Sequence, residues 1–182
     1  MRCVVVTIVS IDEIMTLRQI NEMRPDDARD ALARCCSAWH WVDAMLERRP
    51  FDTLVTLHIA ADEVWGTMQR DDTLEAFSHH PQIGADLESL RKKFAGTATW
   101  SAGEQAGVQA ADEATLLELV EANREYLARF GYIFIVCATG KSAVEILALL
   151  RARLVNDSET ELRIAAAEQA KIMHLRLDKL VE

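Results

Sequence analysis

Glycine and proline interrupt helices more readily than any other residues, and this chain has only 7 Gly and 3 Pro in 182 residues. Between them, apolar residues recur at helical spacing. Leu54, Leu57, Ala61 and Val64 keep that period, which predicts a helix from Thr53 to Gln69. Asp26 to Met45 contains few breakers and ends before Arg49-Pro50, and predicts another. Leu87 to Phe94 predicts a short helix that gives way to Gly96. Ala114 to Phe130 carries Leu116, Leu117, Val120 and Leu127 and stops at Gly131, a residue suited to a left-handed helix end. Ser142-x-x-Glu145 and Ser158-x-x-Glu161 have the form of capping boxes, which place helices at Ala143 to Leu154 and Glu159 to Val181.

One run departs from this pattern. Tyr132-Ile133-Phe134-Ile135-Val136-Cys137 is continuously apolar and rich in β-branched residues, as a buried strand would be. No second strand is evident to pair with it. An extended segment threading a helical core is the better expectation, and its backbone N–H groups then need partners, some of which a ligand can supply. The expected fold is therefore all-α: a single compact helical-bundle domain with one extended apolar segment near 132–138. The length suits one domain with a sizeable core, and 50% hydrophobic residues exclude a disordered chain. Residues 1–14 read as an N-terminal extension ahead of a domain at 15–182, with Met15 as an alternative start. Their apolar run is too short to span a membrane and lacks a small-residue cleavage site, and no other stretch approaches membrane length.

A net charge of -9 argues against nucleic acid as a partner, since phosphate binding needs clustered Lys and Arg. It leaves room for a small anionic substrate, which needs one or two placed cations. Cys3, Cys35, Cys36 and Cys137 contain no CxxC pair, and read as reduced thiols of a cytosolic protein.

The chemistry-bearing residues concentrate at His79-His80-Pro81-Gln82-Ile83-Gly84 and at Ser101-Ala102-Gly103-Glu104-Gln105. Proline pushes the residue before it out of the helical region, so His80 is expected on extended backbone. An imidazole can give or take a proton near neutrality, a carboxylate can orient it, and a hydroxyl and an amide can bind a polar molecule. A loop of helix-capping residues is the alternative. Arg176 shares a helix face with Ile172 and Leu180. A cation in an apolar stripe is costly unless paired. It either snorkels or bridges a structural Glu, or it faces a pocket and awaits a carboxylate.

Other motifs carry less. Gly140-Lys141-Ser142 has the ending of a phosphate-binding loop, but Ile135 stands where its first glycine belongs. His58 and Asp62 lie at i, i+4, a spacing that can suit a metal, yet the Glu-x-x-His pattern of helical-bundle metal sites is absent. They read as a solvated helix face, and no metal is expected. Trp39, Trp41, Trp65 and Trp100 read mainly as packing residues, with Trp100 able to wall a pocket beside Ser101.

Taken in order, Arg49-Pro50-Phe51, His80-Pro81, Ser101 with Glu104-Gln105, Asn123 and Tyr126, Phe130-Gly131 running into Phe134-Ile135-Val136-Cys137-Ala138, Arg153-Leu154 with Asn156, Glu161-Leu162, Lys171-Ile172 and Leu175-Arg176-Leu177 resemble the 2-oxo-4-hydroxy-4-carboxy-5-ureidoimidazoline (OHCU) decarboxylase family. The resemblance covers about Thr16 to Val181. It implies an all-helical homodimer, without metal or organic cofactor, that acts on an anionic ureidoimidazoline; the cytoplasmic location is the one expected from the reduced thiols. By resemblance His80 is the catalytic acid/base, with Glu104 and Arg176 completing the polar site. Pro81, Ser101, Ala102, Gly103, Gln105, Phe134, Ile135, Val136, Cys137 and Ala138 would line the substrate. Gln82 departs from the acidic or basic residue common after that proline. Two rival readings are a helical module that only binds a ureido compound and a metal-dependent helical-bundle enzyme. The first would not change the rate at which such a compound decays, and the second would carry stoichiometric metal.

Overall fold

The computed structural model describes residues 15–80, 82, 88, 90–91 and 105–181, except for the side chains of 105–112. Among them the chain forms α1 (Leu17–Glu22), α2 (Pro25–Ala33), α3 (Trp39–Glu47), α4 (Leu54–Trp65), α5 (Arg70–Ser78), α6 (Gln105–Phe130), α7 (Ala143–Arg153) and α8 (Ser158–Leu180). The described residues hold no β-ladder. Their single β feature is a parallel bridge between Met15 and Val181, in which the Met15 amide donates to the Leu180 carbonyl at 3.0 Å. The fold is all-α, as expected. It divides into two compact units, one running up to Thr67 and resuming at Met173, the other Met68–Ile172.

In the first unit, the predicted Asp26–Met45 helix is two helices. The amides of Cys35 and Cys36 both donate to Leu32 O, at 2.9 and 3.1 Å, closing the last turn of α2. The Ser37 hydroxyl then donates to Ala33 O at 3.2 Å, a local bond that competes with helix continuation. No glycine or proline marks this break. α2 packs on α3 and α3 on α4, and the buried Trp41 indole donates to Ala61 O at 3.2 Å. The Arg49-Pro50 peptide is cis. Arg49 Nη1 donates to Ile20 O at 2.8 Å and Met23 O at 3.0 Å, while Asn21 exchanges two bonds of 2.8 Å with the Phe51 backbone. Arg49-Pro50-Phe51 thus holds α1 in place. α4 opens on a Thr53–Thr56 capping box and ends at Trp65, short of Gln69, because Gly66 and Thr67 turn the chain.

The second unit begins with α5, which the periodicity does not predict. Its start is a capping box in which Gln69 N donates to Asp72 Oδ2 at 2.9 Å. α6 starts well before the expected Ala114 and packs against α7. It ends as expected at Gly131, which adopts φ 78°, a conformation that a side chain would strain. α7 opens on the expected Ser142–Glu145 box. The Ser158–Glu161 box does not form. Asp157 Oδ1 accepts instead from the Glu159 and Thr160 amides, at 3.1 and 2.9 Å, because the Glu161 carboxylate is engaged in the core. Along α8 the buried positions step by four: Glu161, Ala165, Gln169, Met173 and Leu177. The aromatic centre of the second unit is Tyr126, with Phe130, Phe134 and Tyr132 rings at 4.7, 5.1 and 5.9 Å.

Candidate active site

Residues 133–138 follow α6 without helical or strand pairing, as the apolar run implied. Phe134, Ile135 and Val136 are buried, and the segment ends in a turn at Gly140 with φ 74°. Burial alone would not fix an irregular stretch, since its polar backbone needs partners. Three side chains supply them. Arg153 Nη1 donates to Ile135 O at 2.8 Å. Glu168 Oε2 accepts from the Cys137 amide at 2.8 Å, and Lys141 Nζ donates to Cys137 O at 2.9 Å. Cys137 N–H is the one amide from 133 to 138 with an acceptor among the described residues.

Arg153 is itself held from behind. It is 7% exposed, and its Nε donates to Glu161 Oε1 at 2.8 Å. Glu161 is fully buried; its carboxylate also accepts from Tyr126 Oη and, at 2.8 Å, from Asn156 Nδ2. The Arg153 guanidinium stands over the Phe134 ring at 4.5 Å, a cation–π contact within the same cluster. Burial, then the bond to Glu161, pushes the Tyr126 hydroxyl far above the ordinary phenol range, so it remains a proton donor. Tyr126, Arg153, Asn156 and Glu161 are all among the residues that carried the resemblance. Their work is to hold the extended segment.

His80 lies immediately after α5. Its amide donates to Phe77 O at 3.1 Å, its side chain is half-buried, and its Nε2 is shielded from solvent. The imidazole is thus delivered by a helix end that the apolar periodicity did not reveal. His80 and Phe134, Ile135, Val136, Cys137 and Ala138 belong to the second unit, and Arg176 to the first. Arg176 is half-buried beside the α8 stripe, and donates to Cys35 O at 3.3 Å. Burial pushes the Cys35 thiol up to about 12, keeping it neutral and inert. Cys35, Cys36 and Cys137 are free thiols. Pro81, Ser101, Ala102, Gly103, Glu104 and Trp100 lie outside the described residues, and Gln105 opens α6.

The sequence reading missed Glu168 and Lys141. Each acts on Cys137, and Lys141 was visible only as part of the rejected phosphate-loop motif. His58 also differs from expectation. It is not on a bare solvated face: His58 Nδ1 meets His174 Nδ1 at 2.7 Å, and their outer nitrogens meet Asp178 and Asp62 at 2.8 and 2.6 Å. The two Nδ1 atoms are too close to share a metal, and a proton between them accounts for the spacing. Among the described residues no group of three or more His, Cys, Asp or Glu is arranged to hold a metal ion, and no helix is long and apolar enough to cross a membrane.

Comparison with known proteins gives this arrangement a context. The family model described as OHCU decarboxylase matches residues 21–178. The chain is 38% identical over 148 residues to the uric acid degradation bifunctional protein TTL of Arabidopsis thaliana, covering 80% of this chain and 45% of that protein. It is 27% identical over 164 residues to a 2-oxo-4-hydroxy-4-carboxy-5-ureidoimidazoline decarboxylase of Haloferax volcanii, covering 90% of this chain and 94% of that one. A crystal structure of OHCU decarboxylase in the presence of (S)-allantoin is similar at 37% identity and a TM-score of 0.67, over 83% of this chain and 96% of that one. The chain spans about a third to a half of the length of the bifunctional uric acid degradation proteins it matches. With the matched region covering most of its length, this chain belongs to the OHCU decarboxylase family.

Proposed function

We propose that the chain decarboxylates 2-oxo-4-hydroxy-4-carboxy-5-ureidoimidazoline to (S)-allantoin, the last step of urate oxidation. The observation that carries this reading is the 37% identity, across 83% of the chain, to an OHCU decarboxylase crystallised with (S)-allantoin. In the reaction the bond to the carboxylate breaks and CO2 leaves. The electron pair left behind passes into the adjacent ring C=N, whose nitrogen takes up a proton, leaving an enol. The enol hydroxyl then gives up its proton as the ring carbonyl forms, and a proton is delivered to one face of the neighbouring carbon. The substrate is its own electron sink, which is why the chemistry needs no pyridoxal or thiamine. The protein's tasks are to orient the substrate, stabilise developing negative charge and supply the proton.

His80 is the proton-transfer group in this scheme, oriented by Glu104. Ser101 and Gln105 bind polar edges of the substrate, beside Pro81, Ala102 and Gly103. The amides of the extended segment take anionic or carbonyl oxygens, except that of Cys137, which Glu168 already occupies. Arg176 contributes a two-pronged cation for a substrate oxygen. Tight binding of the departing carboxylate in the ground state would oppose its loss, so these contacts must favour the transition state. By resemblance the enzyme is a homodimer, which sedimentation of the purified protein tests directly.

The test is to generate the intermediate by urate oxidation and hydrolysis and follow formation of chiral allantoin by circular dichroism. Faster appearance of the S enantiomer with protein than without supports the reading. An unchanged decay would leave a binding module. Loss of activity on chelation, with recovery on metal addition, would replace the cofactor-free scheme with a metal-dependent one.

A further inference from the structure

Glu168 lies outside the substrate-lining segment in sequence, yet it holds that segment at Cys137, close to its end. Its Oε2 accepts from the Cys137 amide at 2.8 Å, across 31 residues of sequence, and its other oxygen meets Lys171. Its side chain is 15% exposed. An extended backbone turns the polar groups of alternate residues to opposite sides. The groups that side chains grip fall on Ile135 and Cys137: Ile135 O by Arg153, Cys137 O by Lys141, Cys137 N–H by Glu168. The Ala138 carbonyl accepts from the Lys141 amide at 3.1 Å, in the turn that ends the segment. The amides of Val136 and Ala138 then point the other way, and neither has an acceptor among the described residues. A buried amide without a partner is rare and invites a ligand oxygen.

We infer that Glu168 is a positioning residue: by gripping the Cys137 amide it sets the rotation of the segment that presents the Val136 and Ala138 amides to an oxygen of the anionic substrate. A carboxylate suits this task because a charge-assisted bond is about twice as strong as a neutral one. Burial opposes the charge, but Lys171 and the Cys137 amide outweigh it and keep the carboxyl below its ordinary range. This inference rests on the proposed decarboxylation and concerns how its substrate is held.

The test compares Glu168→Ala, Glu168→Gln and Glu168→Asp with the unaltered protein, by melting temperature, by kcat and KM per folded molecule, and by calorimetric binding of (S)-allantoin. Displacing a binding group by about 1 Å can cost up to about 100-fold. Glu168→Ala is expected to lose about 10–100-fold in kcat/KM and to weaken (S)-allantoin binding in parallel. Glu168→Gln keeps an acceptor for the Cys137 amide and should stay within about tenfold. Glu168→Asp keeps the charge but is one methylene short, and should fall between the two. A folded Glu168→Ala protein with unchanged kcat/KM overturns the inference, as does Glu168→Gln failing as badly as Ala. Should Glu168→Ala not fold, Glu168→Asp decides: kcat/KM equal to that of the unaltered protein overturns it. An inactive unaltered protein would instead overturn the proposed decarboxylation.

Discussion

Removing Glu161 should damage the protein in two separable ways. Its carboxylate is fully buried and accepts from Tyr126 Oη, Arg153 Nε and Asn156 Nδ2. Arg153, 7% exposed, would keep its charge in Glu161→Ala but lose the carboxylate 2.6 Å away. Stripping one partner from a buried ion pair typically costs about 3–5 kcal/mol, mostly because the other charge stays behind. For a chain of this size each kcal/mol moves the melting temperature by about 2–4 °C, so Glu161→Ala should melt about 6–20 °C lower. The double variant Arg153→Met/Glu161→Leu removes both charges and fills the space with apolar atoms, so most of the lost stability should return. Activity should not return with it, because Ile135 O has lost the Arg153 donor that holds the extended segment proposed to line the substrate. Urea melts and kcat/KM on the three proteins separate these effects. A Glu161→Ala cost below about 1 kcal/mol, or a double variant no more stable than the single, would refute the ion-pair reasoning. A double variant with full activity would refute the link from Arg153 to the site.

Three further outcomes follow from other residues. Arg176→Met keeps the apolar stem and removes the guanidinium; kcat/KM should fall about 10–1,000-fold while stability changes by less than about 1 kcal/mol, and the reverse pattern would make Arg176 a structural residue. Gln169 is fully buried, and neither its Oε1 nor its Nε2 has a partner among the described residues; since an unsatisfied buried polar group costs about 1–3 kcal/mol, Gln169→Met should raise the midpoint of a urea melt, and a lower midpoint contradicts this. The Glu168 carboxyl sits below the ordinary glutamate value of 4.5 in the folded state, so on acidification the unfolded chain takes up the proton first. Its contribution is therefore complete above about 4.5 and is lost as pH falls through the folded value. The stability gap between the unaltered protein and Glu168→Gln should shrink over that window in denaturant melts, and a gap that widens on acidification would reverse the assignment.

What the sequence conveyed depended on how local each signal was. The apolar segment stood out because its run is continuous, and Gly131 and the Ser142–Glu145 box marked its surroundings correctly. The break between α2 and α3 was invisible because carbonyl and hydroxyl bonds make it, without glycine or proline. α5 was missed because it is short and starts at a Gln69–Asp72 box, an uncommon cap. At α8 the capping-box pattern misled, since Glu161 meets Tyr126 and Arg153 in place of a helix end. For the site, Pro81 made His80 conspicuous, but the α5 end that carries it was not predicted. Glu168 could not be singled out. In sequence it is one more acid on a polar helix, and only the fold brings it to Cys137.

The central claim is that a single imidazole performs the proton transfer of this decarboxylation. His80 follows a helix end and is only half-buried, and asparagine keeps a polar side chain there, so His80→Asn should fold with a near-unchanged melting temperature. The decisive measurement is the rate of (S)-allantoin formation from freshly generated OHCU, with the unaltered protein, with His80→Asn and with no protein. One general acid–base group is typically worth about 100–10,000-fold, so His80→Asn should lose that much of the catalysed rate. A folded His80→Asn protein that turns over at the unaltered rate would contradict the assignment of His80.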